Sequence, residues 1–220
     1  MHQASNHSRN PNNGTASLLL AALEHAWTTI RTRHPDVPDV VLVIASGSEG
    51  KRLNLGHFAP HRWQVNGADR HEVLVSGEGL QRGPIEVLGT LLHEAAHGLA
   101  QARGVQDTSR QGRYHNRRYA TLARELGLDV ANLQPIGWTA TSVPTPTASA
   151  YASQLEELQA ALVLWRRQEA RIGPSSRSRN LLACICPCGR KLRAAHTTLA
   201  EAPILCGACQ APFEPEEPED

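Results

Sequence analysis

Residues 91–98, with the sequence LLHEAAHG, contain the pattern H-E-x-x-H. On a helix, His93 and His97 are four residues apart, so both imidazoles project from one face about 6 Å apart along the axis. Two neutral imidazoles at this spacing can bind one zinc ion, and Glu94 can take a proton from a water molecule at the metal. The stretch therefore predicts a metal site at the centre of the fold, although two histidines can also share a helix by chance.

The residues around this motif favour a buried helix from Pro84 to about Arg103. Gly83 precedes a proline at a favoured first helical position, and Glu86 suits the positive N-terminal end of a helix. Gly104 is a residue type that ends helices. A wide apolar face is expected to lie against the core, formed by Val87, Leu88, Leu91, Leu92, Ala95, Ala96 and Leu99.

The composition bounds the size of the core. The chain has 220 residues, of which 40% are hydrophobic and 4% aromatic, with a formal net charge of +1. This favours a folded core of about 120 residues with a substantial flexible remainder. Residues 1–15 are polar and are predicted to form a disordered tail. With no apolar run of membrane-spanning length and no secretory signal, we expect a cytoplasmic protein that could associate with the nucleoid.

Short apolar runs and helical repeats place the other elements of the core. A helix over residues 16–33 precedes a buried strand over 40–44, where β-branched and aliphatic residues follow one another. A weaker strand is expected within 55–65 and another over 72–76. A second helix follows the motif helix and ends at Gly127. This order of helix, small sheet, motif helix and second helix predicts an α+β fold.

The second half of the chain is predicted to be looser. Residues 139–180 are expected to be a linker, because their first part is rich in Thr, Ser and Pro. Within it, residues 151–172 are predicted to form a helix with one apolar face, made of Leu155, Leu158, Leu162 and Trp165. A small cysteine-rich module follows over 181–213. The acidic residues 214–220 are predicted to form a disordered tail, because they contain no core-forming side chains.

A catalytic zinc ion needs a third protein ligand, which must follow His97 in the chain. Arg103 occupies the position at which a metzincin carries its third histidine. Three candidates remain, Asp107, His115 and Glu125, and His115 is favoured because it precedes a helix that can pack beside the motif helix. Three earlier histidines are expected at the surface or at strand edges instead: His57, His61 and His71.

All five cysteines lie within residues 184–209, in a C-x-C…C-x-x-C arrangement. This arrangement fits a structural zinc site in a reducing compartment better than a disulfide framework. A tetrahedral site takes two thiolates from the first half and two from the second. In the preferred set of ligands, a glycine directly follows Cys188 and another directly follows Cys206. In the alternative set, Cys184 takes the place of Cys186. The preferred ligands are Cys186, Cys188, Cys206 and Cys209.

The runs HEAAH at 93–97, GRYHNRRY at 112–119 and LGL at 126–128 resemble the SprT-like metalloprotease family, which includes the Spartan-type proteases. The resemblance covers roughly residues 16–138 and 181–213. It implies a zincin-like protease core followed by a linker helix and a C-terminal zinc ribbon.

The function implied by this resemblance is that of a zinc-dependent endopeptidase. Zinc ligation is carried onto His93, His97 and His115, and the role of general base and acid onto Glu94. The implied substrates are proteins associated with or crosslinked to DNA, which would place the protein in DNA repair. This step is an analogy with the family.

A basic stretch between residues 166 and 193 also favours DNA as a binding partner. It contains eight cations and one acid, and it flanks the cysteine-rich module, so we expect non-specific DNA binding through phosphate contacts. The alternative function is a non-catalytic nucleic-acid- or transcription-associated zinc protein that uses the fold as a scaffold. Retention of Glu94 favours the peptidase. The cations are Arg166, Arg167, Arg171, Arg177, Arg179, Arg190, Lys191 and Arg193.

Overall fold

The computed structural model describes residues 14–49, 52–109, 112, 114–168 and 181–216. The chain divides into two compact units, Met1–Gln168 and Glu169–Asp220. The described residues contain six α-helices, one 3-10 helix and several small sheets, which confirms the α+β class. Within the same residues, no helix has the length and apolar character needed to cross a membrane.

The first unit alternates helices with short strands. Its helices are α1 (Thr15–Arg33), a 3-10 helix (Gly77–Arg82), α2 (Pro84–Ala102), α3 (Arg117–Glu125), α4 (Thr145–Ala150) and α5 (Ala152–Ala161). Its strands are β1 (Val40–Ala45), β2 (Ser48–Glu49), β3 (Arg52–Leu53), β4 (Gly56–Val65), β5 (Ala68–Ser76), β6 (Thr108–Ser109), β7 (Tyr114–His115), β8 (Asp129–Leu133) and β9 (Gly137–Ser142).

The first sheet has the strand order β1-β5-β4. β1 pairs with β5 in parallel, and β4 pairs with β5 antiparallel. Val73 and Val75 of the central strand are buried, as expected for a strand with a neighbour on each side. The pairing of β4 shifts between Ala59 and Trp63. Because of the strand order, β4 is an outer strand of this sheet, and it contacts α2.

The motif helix α2 is the centre of the first unit. It contacts α1, α3, α5 and β4, and Pro84 occupies its first turn as predicted. Burying each of its leucines fully contributes about 1.5–3 kcal/mol. This apolar face fixes the direction in which the opposite, histidine-bearing face points. Its buried apolar residues are Val87, Leu88, Leu91, Leu92, Ala95, Ala96, Leu99 and Ala100.

The segment predicted as a linker belongs to the first unit as far as residue 168. Residues 137–142 form β9, which pairs antiparallel with β8 in a sheet of order β6-β7-β9-β8. Residues 145–150 form α4, whose Thr147 is buried and donates its hydroxyl to the Gly127 carbonyl at 2.6 Å. Hairpin pairing with the adjacent β8 and the contact of α4 with Gly127 therefore override the Thr/Ser/Pro composition that favoured a linker.

The helix predicted over residues 151–172 ends at Ala161. Leu162 and Leu164 are partly buried against the core, whereas Val163 and Trp165 are 64% and 54% exposed. This alternation has the period of an extended chain, not of a helix. The predicted inward position of Trp165 is therefore wrong, and residues 169–172 lie outside the described residues.

The second unit contains a small sheet and all five cysteines, of which only Cys184 lies on a strand. Its elements are β10 (Leu181–Ile185), β11 (Lys191–Ala195), α6 (His196–Glu201) and β12 (Glu214–Pro215). β10 lies between the other two strands and pairs antiparallel with both.

The start of the acidic tail is ordered, contrary to the prediction. Glu214 and Pro215 pair with β10, and the amide of Glu216 donates to the Ala183 carbonyl at 2.8 Å. The carboxylate of Glu216 also pairs with the Lys191 ammonium. Residues 217–220 and the predicted N-terminal tail up to residue 13 lie outside the described residues.

Candidate metal centre

Three histidines converge in the first unit. His93 and His97 lie one turn apart on α2, and His115 reaches them from β7. One nitrogen from each ring lies within 4.8 Å of the others, and the Nε2 atoms of His97 and His115 are 3.1 Å apart. Two nitrogen ligands of one tetrahedral zinc ion lie about 3.3–3.4 Å apart. The arrangement is therefore compatible with zinc, and we call these three residues the histidine site.

Hydrogen bonds behind two of the rings orient them. His97 Nδ1 lies 2.5 Å from Asp107 Oδ2, so its N–H donates to the carboxylate. His93 Nδ1 forms a 3.2 Å hydrogen bond with Thr141 Oγ1. Partners of this kind fix the tautomer and leave Nε2 free to bind a metal. The Nδ1 atom of His115 is buried and has no hydrogen-bond partner among the described residues.

The electrostatics favour neutral imidazoles at two positions. Burial, followed by the neighbouring His97 and His115, holds the pKa of His93 well below its usual value. Burial and then His97 lower the pKa of His115 to about 4. At His97, burial lowers the pKa, but the hydrogen bond to Asp107 and the charges of Glu94 and Asp107 together outweigh it, and the net pKa is raised. Neutral imidazole is the form that binds a metal.

Glu94 lies beside the histidine site but is not one of the residues that could hold the metal. Its side chain is buried, and burial raises its pKa to about 7, even though His97 and the Phe58 amide act in the opposite direction. A Cβ atom at Gly56 would come within 2.9 Å of Glu94 Oε1, so glycine allows β4 to pass this close. A carboxyl with a pKa near neutrality is suited to exchanging protons.

An open cleft of about 820 Å³ exposes this centre. The histidine site and Glu94, which lie on α2 and β7, form part of its lining. Residues of β4 and of β9 line other parts of the cleft. Apolar side chains make up much of the rest: Leu53, Leu55, Phe58, Ile85, Val105, Ile136 and Val143.

Tyr119 forms a floor beneath the histidine site. Its ring is fully buried, and its centroid lies 5.0, 4.8 and 4.6 Å from those of His93, His97 and His115. Burial, then Glu94 and Asp107, raise its pKa, so the phenol stays neutral. Its hydroxyl has no hydrogen-bond partner among the described residues.

The other third-ligand candidates have different partners. Asp107 holds His97 from behind, and Glu125 forms a 2.8 Å ion pair with Arg103. The earlier histidines His57, His61 and His71 lie on β4 and β5, and none of them joins a potential metal group among the residues that the structure describes.

Sequence reasoning missed the roles of Thr141 and Asp107. Thr141 lies in the segment predicted as a linker, and Asp107 was considered only as a ligand. The only sequence signal for Asp107 was a carboxylate ten residues after His97. Its contact with Nδ1 of His97 depends on the path of the loop that follows α2.

A second group of potential ligands lies in the C-terminal unit. Sγ of Cys186 lies 2.9 Å from that of Cys188 and 4.0 Å from that of Cys209, and Sγ of Cys188 lies 3.7 Å from that of Cys206. Thiolates on one tetrahedral zinc ion are about 3.8 Å apart. We call these four residues the cysteine site, and it is also compatible with zinc.

Cys184 lies outside the cysteine site. Its side chain is buried, and its thiol donates to the Leu182 carbonyl at 3.5 Å. The amides of Ala208 and Cys209 lower the pKa of the Cys206 thiol to about 6, which favours the thiolate that a metal needs.

Comparison with protein-family models, curated proteins and solved structures gave no match. The chemistry of the chain is therefore inferred from its own residues.

Proposed function

We propose that this protein is a zinc-dependent endopeptidase of the SprT-like type, with a zincin-like core. One observation carries the proposal: three imidazoles that fit a zinc ion and a buried carboxyl, Glu94, meet in an open cleft. A purely structural metal site needs neither the cleft nor the carboxyl. A buried carboxyl is costly unless it is paired or protonated, so its presence here favours a chemical role.

The metal would be held by His93, His97 and His115. When bound, zinc supplies Lewis acidity, which polarises a carbonyl and lowers the pKa of water. Glu94 takes the proton from the attacking water on its carboxylate and returns it to the departing amine. Burial raises the pKa of Glu94, which favours the return of the proton from its carboxyl to the amine. Asp107 and Thr141 hold two of the rings in position during this exchange.

The cleft fits an extended peptide. β4 is the outer strand of its sheet, so its backbone can form hydrogen bonds with an added strand. The apolar lining offers room for hydrophobic side chains on the substrate. Both features favour unfolded or locally opened protein segments as substrates.

DNA is the proposed partner of the basic stretch. Arg167, Arg190 and Arg193 are exposed, as phosphate contacts require. Arg171, Arg177 and Arg179 lie outside the described residues. The remaining two cations are already paired, Arg166 with Glu78 and Lys191 with Glu216.

The test is a cleavage assay with casein as substrate, with and without single-stranded DNA. We expect cleavage that needs zinc, that a chelator stops, and that DNA increases. Failure of the zinc-loaded protein to cleave casein in either condition would favour the alternative, a non-catalytic nucleic-acid- or transcription-associated zinc protein.

A further inference from the structure

Asn116 follows His115 directly and forms hydrogen bonds in two directions. Its Oδ1 accepts from the amides of Arg118 at 2.8 Å and Tyr119 at 3.2 Å, which caps α3. Its Nδ2 donates to the Gln106 carbonyl at 2.9 Å. Its backbone amide donates to the Asp107 carbonyl, also at 2.9 Å. One residue therefore ties the start of α3 to the loop that follows α2.

This loop supplies the carboxylate behind His97. Asp107 Oδ2 lies 2.5 Å from His97 Nδ1, and the next residue, Thr108, is aligned with His115 where β6 pairs with β7. A shift of this loop would therefore move the Asp107 carboxylate away from His97. It would also move the backbone of Thr108, which lies beside His115. Asn116 fastens the loop on the Gln106–Asp107 side.

A helix cap alone does not require asparagine. Serine and aspartate cap helices about equally well, because the cap needs only a side-chain oxygen. Asparagine also carries an amide N–H₂, which those two residues lack. The hydrogen bond from Nδ2 to Gln106 uses this additional donor.

We propose that Asn116 is a positioning residue of the histidine site, acting through Asp107 and His115. This inference rests on the proposed function, since it assumes that the histidine site binds a metal. It assigns to the Nδ2 donor the task of holding the loop so that Asp107 stays in contact with His97. Changes to residues that orient metal ligands commonly cost 10–100-fold in metal affinity.

Asn116→Ser and Asn116→Asp separate this task from the cap, because each keeps a capping oxygen and removes the amide donor. The matched control is Asn132→Ser on β8, where the exposed Asn132 side chain accepts a long hydrogen bond from Gln134 at 3.5 Å. In the full-length protein, we expect both Asn116 variants to keep the parent's melting temperature in the metal-free form. Their affinity for zinc at the histidine site should fall about tenfold.

Cobalt substitution gives a readout that the cap does not control. The difference between the visible spectra of the parent and of His93→Ala isolates cobalt at the histidine site from cobalt at the cysteine site. This difference spectrum should change in Asn116→Ser and Asn116→Asp, but not in Asn132→Ser. If both Asn116 variants match Asn132→Ser in spectrum and affinity, the proposed role of Asn116 is wrong.

A double variant tests the route. If Asn116 acts through Asp107, Asn116→Ser should weaken zinc binding much less in an Asp107→Asn background than in the parent. Full additivity of the two effects would overturn this route. If His93→Ala leaves zinc content and the cobalt spectrum unchanged, the histidine site binds no metal and the proposed function itself fails.

Discussion

Arg166 Nη1 lies 2.7 Å from Glu78 Oε1, so a cation from the predicted DNA-binding stretch is part of the core unit. The Glu78 side chain is only 1% exposed, and the Arg166 amide also donates to the Gly77 carbonyl at 2.9 Å. This contact holds the extended segment after α5 against the 3-10 helix. Other donors to the Glu78 carboxylate include the Gly47 amide and the hydroxyls of Ser46, Ser48 and Ser76.

The first prediction concerns Glu78→Gln. Burial raises the pKa of Glu78, but the amides of Gly47 and of Glu78 itself and two serine hydroxyls outweigh it, and the pKa falls to about 2. The folded pKa is below the usual 4.5, so the charge stabilises the fold above about pH 4.5. This stabilisation is lost as the pH falls towards about 2.

Glu78→Gln should lower the free energy of unfolding by about 2–3 kcal/mol at pH 7, because a charged group makes stronger hydrogen bonds than an amide. The difference from the parent should shrink between about pH 4.5 and 2, as measured by urea unfolding at a series of pH values. A difference that stays constant across this range would show that the Glu78 charge does not stabilise the fold.

The second prediction separates Arg166 from its neighbours. Arg166→Gln should lower the melting temperature and leave DNA affinity unchanged, because its guanidinium binds Glu78. Arg167→Gln should weaken DNA binding and leave the melting temperature unchanged, since this side chain is exposed. Binding to a fluorescent oligonucleotide and thermal unfolding of both variants test this. Equal losses of DNA affinity in the two variants would contradict it.

The third prediction concerns the acidic strand β12. Ile185 is aligned with Lys191 on one side and Glu214 on the other, so cation and acid share one face of the sheet. Glu216, two residues further on, pairs with Lys191. Glu214→Gln with Glu216→Gln should therefore tighten DNA binding by releasing Lys191 for phosphate contact. For duplex DNA, one added contact steepens the slope of log affinity against log salt by about 0.9.

The charge-matched comparison is that of Glu216→Gln alone with Glu201→Gln on α6, because each variant removes one exposed acid from the same unit. Glu201→Gln should change DNA affinity less than Glu216→Gln does, because Glu216 pairs with Lys191. If the two variants increase DNA affinity equally, the effect is a general loss of negative charge, and β12 does not mask the basic face.

The fourth prediction concerns the two potential zinc sites. The parent should hold two zinc ions, and Cys184→Ala should keep both, because Cys184 lies outside the cysteine site. Cys186→Ala should hold one. Metal analysis of the purified variants checks this, and loss of a zinc ion in Cys184→Ala would assign Cys184 as a ligand.

Local patterns predicted the centre of the fold well. The apolar repeat of α2 and the strand run at 40–44 are signals within one element, and both elements lie where they were expected. His115 could be favoured because it precedes α3, and the structure places it against His97. The α+β class follows from the same signals.

Features set by contacts between distant residues were not predictable. The Oγ1 atom of Thr141 on β9 reaches His93 across 48 positions of sequence. The end of α5 at Ala161 depends on the burial of Leu162 and Leu164 against the core. The pairing of Glu214 with β10 likewise joins residues about thirty positions apart, so composition alone favoured disorder.

The most direct test of the proposed peptidase is Glu94→Gln, measured for zinc content and for cleavage of casein on the same preparation. Glu94 is outside the group that could hold the metal, so the variant should retain both zinc ions. Glutamine cannot accept the proton from water, so cleavage should fall by about 10²–10⁴-fold. His115→Ala should instead lose one zinc ion, whereas Glu125→Ala should lose none. A Glu94→Gln variant that keeps its zinc and cleaves as fast as the parent would contradict the proposed mechanism.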